Sequence, residues 1–196
     1  MYGEQDAMWW YVRLAVLLCF LAGILYANIM DNERLGAFGI WNGYFLEKFK
    51  YTRIQSQELF YYVMELRIPV MLLLLLFLFT SWGTLAGGLF LAWQSFAAGF
   101  MFAASVVVYG VKGILLVGTA AFPHYLLYIL LYIAYLYIAS IWKKKSQAVS
   151  GEGRMRLRDY TLGLIVCICI MILYITGIFL ESYINPYFLK NILKFF

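Results

Sequence analysis

At 196 residues, 65% hydrophobic and 13% charged with a net charge of +5, the chain carries more apolar surface than a soluble domain of that length can hide from water. Mean hydropathy is +0.82, which excludes both a soluble globular protein and a disordered one. What remains is an integral membrane protein of one domain, residues 1–196. Its apolar runs are continuous instead of alternating in segments of about ten residues, so helices and not an outer-membrane barrel cross the bilayer.

The first run, 9–30, has Trp9, Trp10, Tyr11 and Tyr26 at its ends, where aromatic anchors belong. Glu4 and Asp6 precede Arg13, and no basic leader or A-x-A-like site is present. This predicts an uncleaved span and not a removed signal peptide. In the segment 31–67, Asp31, Glu33, Glu47, Glu58 and Glu65 balance Arg34, Lys48, Lys50, Arg53 and Arg67. Phe60, Val63 and Met64 recur there at helical spacing, which predicts a helix lying in the interface or packing against other spans.

Pro69 is read as the opening of the second span, 69–84, since proline in a first helical turn costs nothing. Gly83, Gly87 and Gly88 separate that span from the third, 85–109. The pair Gly83 and Gly87 forms a G-x-x-x-G, but its place at a turn argues against a dimerisation face. The third span carries Gln94, Ser95 and Ser105 beside the small residues Ala97, Ala98, Gly99, Ala103 and Ala104. Small faces let membrane helices approach closely.

From Lys112 to Trp142 the chain is apolar for some thirty residues, about 45 Å as one helix, too long for a ~30 Å core. Pro123 removes a helical hydrogen bond in its middle. The run therefore predicts a short re-entrant or kinked half-helix, 113–122, followed by the fourth span, 124–142. Broken backbone at membrane depth needs protein or water to satisfy it, so this corner belongs inside the bundle.

Residues 143–158 read as a basic loop, with Lys143, Lys144, Lys145, Arg154, Arg156 and Arg158 outweighing Glu152 and Asp159. Short loops this basic stay cytoplasmic. Topology and attraction to anionic lipid account for the loop without nucleic acid. The fifth span, 160–180, ends by Asn185-Pro186, and the last ten residues predict a small interfacial helix with Lys190 and Lys194 on one side. Fixing the basic loop inside places the N-terminus in the cytoplasm, and 31–67 and the C-terminus outside it. The expected fold is an all-α polytopic bundle of about five transmembrane helices, with a half-helix before the fourth and interfacial helices.

Enzyme chemistry finds little support. One histidine without H-E-x-x-H cannot make a metalloprotease site, and Asp6, Asp31 and Asp159 flank spans instead of pairing within them. Ser105 and His124 could be nucleophile and base, yet nothing in their spacing argues for it. No metal or cofactor is expected. Cys19, Cys167 and Cys169 fall inside spans and read as small apolar thiols without a disulfide.

Lys112 and His124 are the candidates that remain, since ionisable groups within spans are functional by default. Lys112 is expected to reach the outer interface from the end of the third span, and His124 to bond backbone freed by Pro123. The alternative joins both to Gln94 and Ser105 in a polar pocket. Tyr125, Tyr128, Tyr132 and Tyr135 make one stripe of the fourth span, a packing face with hydrogen-bonding tips.

Gly99-Phe100, Ser105, Tyr109-Gly110, Lys112-Gly113, Leu115-Leu116 and Pro123 follow one another in a pattern that resembles the stage II sporulation protein M family. The likeness covers roughly 58–140 and, more loosely, the first span. His124-Tyr125 matches in part the His-Gly that follows the proline in some members, and the glutamate that some place shortly after is missing. The resemblance implies a non-enzymatic scaffold of the bacterial cytoplasmic membrane. In sporulating members such a protein anchors a peptidoglycan lytic transglycosylase and a cell-wall amidase during engulfment. It implies membrane lipid and membrane or extracytoplasmic proteins as partners, peptidoglycan hydrolases foremost, and allows a homo-oligomer. The recruiting face would comprise 31–67, the Tyr109–Pro123 corner and the C-terminal helix. The rival reading is a membrane subunit of a transporter or export permease, because transporter sites use broken helices. Few intramembrane acids and no visible inverted repeat weigh against it.

Overall fold

The computed structural model describes residues 2–31, 34–35, 55–149 and 157–195. The helices are α1 (Tyr2–Ile29), α2 (Ser56–Leu78), α3 (Gly83–Tyr109), α4 (Val111–Ala121), α5 (His124–Val149) and α6 (Leu157–Phe179). A π-helical turn (Leu180–Ile184), α7 (Asn185–Ile192) and a 3₁₀ turn (Leu193–Phe195) complete the chain order. Among the described residues, five helical stretches are long and apolar enough to cross a membrane: Trp9–Ile29, Ser56–Leu78, Gly83–Tyr109, His124–Lys145 and Thr161–Ile192. The protein is an all-α, multi-pass membrane bundle, with no strand among the described residues.

Three boundaries differ from the sequence expectation. α2 starts at Ser56, and Pro69 lies inside it on an exposed face and does not open it. The stretch from Ser56 to Arg67 is built mostly of good helix formers, and a membrane helix tolerates an internal proline, so one helix absorbs the predicted interfacial one. Of the segment 31–67, residues 32–33 and 36–54 lie outside the described residues. Lys143, Lys144 and Lys145 extend α5, which continues to Val149, so the basic stretch begins on a helix; 150–156 lie outside the described residues. Asn185-Pro186 does not end the span: α7 follows the π turn without a break, inside the helical stretch Thr161–Ile192. The predicted half-helix falls at Val111–Ala121 and includes Lys112.

Contacts divide the chain into two compact units. The first comprises Met1–Ile54, Leu89–Ala121 and Pro186–Phe196. Within it α1 and α3 meet backbone to backbone. A Cβ on Gly23 would fall on the Phe96 carbonyl, and one on Gly99 on the Phe20 carbonyl. Ser95 donates a 2.7 Å hydrogen bond to the carbonyl of Val16, and Ala27, Ala103 and Ala104 are buried beside this contact. α3 turns into α4 through Gly110, whose φ of +59° suits a residue without a side chain. Gly113 then packs on the carbonyl of Ser105, and Leu116 of α4 is buried against Leu193.

The second unit comprises Gln55–Gly88 and Phe122–Asn185. Here α2, α5 and α6 are linked by large side chains. Tyr135 donates a 2.6 Å hydrogen bond to the carbonyl of Leu74, and its ring covers Gly87. Phe79 and Trp142 meet edge to face at 4.7 Å, with Gly163 leaving room for them. The Phe122-Pro123 bond that precedes α5 is cis.

Candidate functional site

Toward the end of α5 opposite Trp142, the second unit gathers its charges. α2 contributes Arg67, and the π turn after α6 contributes Glu181. The guanidinium donates to Glu181 Oε1 at 2.6 Å, with side-chain exposures of 26% and 18%. Tyr128 of α5 donates to the other carboxylate oxygen, Oε2, at 3.1 Å. Both oxygens of Glu181 are therefore occupied. The Arg67 guanidinium also lies over the Tyr128 ring, 4.9 Å from its centroid, a cation–π contact strengthened by exclusion of water.

Tyr174 of α6 donates a 3.3 Å hydrogen bond to the carbonyl of Arg67, and its ring packs 5.2 Å from that of Tyr128. Gly177, one turn further, leaves the space that the Tyr128 ring fills. Two helices, α2 and α5, thus converge on one carboxylate, and Tyr174 of α6 braces both partners. Such a pair adds little by forming, because both ions lose water, but removal of either partner leaves a costly buried charge.

His124, the first residue of α5, stands beside this pair. Its Nε2 lies 4.0 Å from Glu181 Oε1, and the ring meets Tyr125 and Tyr128 edge-on. It is 4% exposed, and Nδ1 has no hydrogen-bond partner. Ser182, the neighbour of Glu181 in the π turn, is fully buried and its hydroxyl also has no partner. π-helical turns are rare and concentrate at functional positions. The expected bond from His124 to backbone freed by Pro123 gives way to a place beside Glu181.

Gly99, Phe100, Ser105, Gly110, Lys112 and Gly113 lie in the first unit and not in the one that holds this cluster. Gly99 admits the α1 backbone, and the Phe100 ring meets Tyr26 at 5.8 Å. Ser105 is fully buried beneath Gly113, Gly110 makes the turn, and Lys112 is exposed in the first turn of α4. Pro123 occupies the turn before His124 in the second unit. Of the tyrosine stripe, Tyr128, Tyr132 and Tyr135 are buried, and the tips of Tyr128 and Tyr135 make the hydrogen bonds expected of them.

Sequence reasoning overlooked Arg67, Tyr174, Glu181 and Ser182. A signal existed: Arg67 precedes the second apolar run, Glu181 follows the fifth and His124 opens the fourth. In an alternating count of spans these three ends share a side. Among the described residues no group of three His, Cys, Asp or Glu side chains has the arrangement of a metal site. Compared with known proteins, the chain matches no protein-family model, no curated protein and no solved structure.

Proposed function

We propose that this multi-pass protein is a non-enzymatic scaffold of the bacterial cytoplasmic membrane, of the stage II sporulation protein M type. In this reading its N-terminus is cytoplasmic and its outer face anchors cell-wall-remodelling partners, peptidoglycan hydrolases foremost. The observation that carries the proposal is the closure of the internal charges on each other. Glu181 has both oxygens taken, one by Arg67 and one by Tyr128. Charges tied in this way fasten helices and offer no open carboxylate to a passing solute. The resemblance gains physical support as well, since its glycines have work to do: Gly110 supplies a left-handed turn, and Gly99 and Gly113 admit backbone at close range.

A photo-crosslinking residue at Tyr61 or Tyr62, both exposed on α2, tests the proposal in native membranes. Peptidoglycan hydrolases among the crosslinked products support it. Crosslinks to lipid or to a second copy alone contradict it.

A permease subunit is the second reading, favoured by one observation. A carboxylate and an imidazole share a buried place next to a π turn, the kind of local break on which transporters build sites. Loss of solute uptake in His124→Ala, with the protein still inserted and abundant, would favour this reading over the scaffold.

A further inference from the structure

We propose that His124 is a proton-binding site whose occupancy sets how firmly Glu181 is tied to Arg67 of α2. The inference rests on the cluster's geometry alone and applies to a scaffold and to a permease alike.

One oxygen, Glu181 Oε1, faces two basic groups: Arg67 at 2.6 Å and His124 at 4.0 Å. A guanidinium stays charged at every pH a cell meets, whereas an imidazole changes charge within the physiological range. In the neutral ring, a proton on Nε2 facing Glu181 leaves Nδ1 as a lone-pair acceptor. Nδ1 is then the one ring position left for a second proton, the one that makes the imidazole a cation. Uptake forms one N–H bond at Nδ1 with a proton given up by water, and breaks no bond in the protein.

The consequence is electrostatic. Two cations then face a single carboxylate, and attraction to the imidazolium draws Glu181 toward the start of α5 while its hold on Arg67 loosens. Arg67 has somewhere to go: its guanidinium already rests on the Tyr128 ring, and its side chain is 26% exposed. The other titratable groups facing the site within this unit are Tyr125 and Tyr128 on α5 itself and Tyr174 on α6. Tyr128 is tied to Oε2 and moves with the carboxylate. Glu181 sits in a π turn, a local change of helical register, and that turn is the element able to take up the movement. The chain has one histidine, so His124 is its one side chain that ordinarily titrates between pH 5 and 8.

The test uses the full, tag-free chain in nanodiscs of phosphatidylcholine and phosphatidylglycerol, labelled with ¹⁵N at histidine only, so that every ring signal belongs to His124. Between pH 8 and pH 5 the Nδ1 signal is expected to move from the unprotonated to the protonated position in one reversible step. Protection of the amides in 180–184, after the intrinsic pH dependence of exchange is divided out, should change with it by about threefold or more, as local opening responds to a lost tie. In Glu181→Gln the ring still titrates, but protection in 180–184 no longer follows it. An Nδ1 that stays unprotonated to pH 5 overturns the proposal. So does protection that follows pH equally in native protein and in His124→Gln.

Discussion

The two units hold their helices by opposite means. In the first, α1 and α3 touch through Gly23, Gly99 and a row of alanines, so backbone lies on backbone. In the second, α2, α5 and α6 are bridged by tyrosines and an arginine whose polar tips end on a carbonyl or a carboxylate. Lipid is as apolar as leucine, so burial alone cannot drive helices together in a membrane. Close packing and polar links are the two alternatives. Each unit relies mainly on one of them, although the Ser95 hydroxyl adds a polar link between α1 and α3 in the first. The first should therefore be sensitive to added volume, and the second to removed charge.

The largest effect is expected from volume. Gly99→Leu and Gly113→Leu each drive a side chain into a carbonyl of the neighbouring backbone, Phe20 or Ser105, and backbone cannot swing aside. Overpacking costs about 1–3 kcal/mol or more, and these two belong at the upper end, with monodisperse protein lost on size exclusion. A Gly99→Leu variant that purifies and melts like native protein breaks the comparison. Next comes Glu181→Ala, which strands a largely buried guanidinium. Its destabilisation should be about 3 kcal/mol, read as a fall in apparent Tm in lipid nanodiscs.

Smaller effects sharpen the contrast. Tyr135→Phe deletes a hydrogen bond to the Leu74 carbonyl but keeps the ring over Gly87, so about 0.6 kcal/mol is expected, typical of a polar link between membrane helices. Gly118→Ala should do least. Nothing lies within 4 Å of where its Cβ would stand, and alanine is the better helix former, so stability should hold or rise by up to about 1 kcal/mol. Gly113→Ala, in the same helix, should instead destabilise.

Helix number and class were legible because continuous apolar runs are local properties of a sequence. The break at Pro123 was equally legible, since proline and its glycine neighbours act on adjacent backbone. Helix ends were less so. Pro69 looks like a helix start, but the residues from Ser56 onward favour helix strongly enough to continue through it. The ion pair was the least visible feature, for Arg67 and Glu181 lie 114 positions apart and no periodicity links them. His124 stood out as an ionisable residue in apolar sequence, while its partner sat past the end of an apparent span. The packing role of Gly99 was suggested by composition and that of Gly113 was not, and which carbonyl each one faces depends on how the neighbouring helix runs.

Arg67 and Glu181 neutralise each other inside the second unit, and the other contacts of the cluster depend on that pair. A double-mutant cycle with Arg67→Met and Glu181→Gln, read as unfolding free energy of the full chain in nanodiscs, measures it directly. The account predicts a coupling of about 2 kcal/mol, with the double variant more stable than the sum of the single losses implies. Losses that simply add, to within about 0.5 kcal/mol, would show two independent side chains and contradict it.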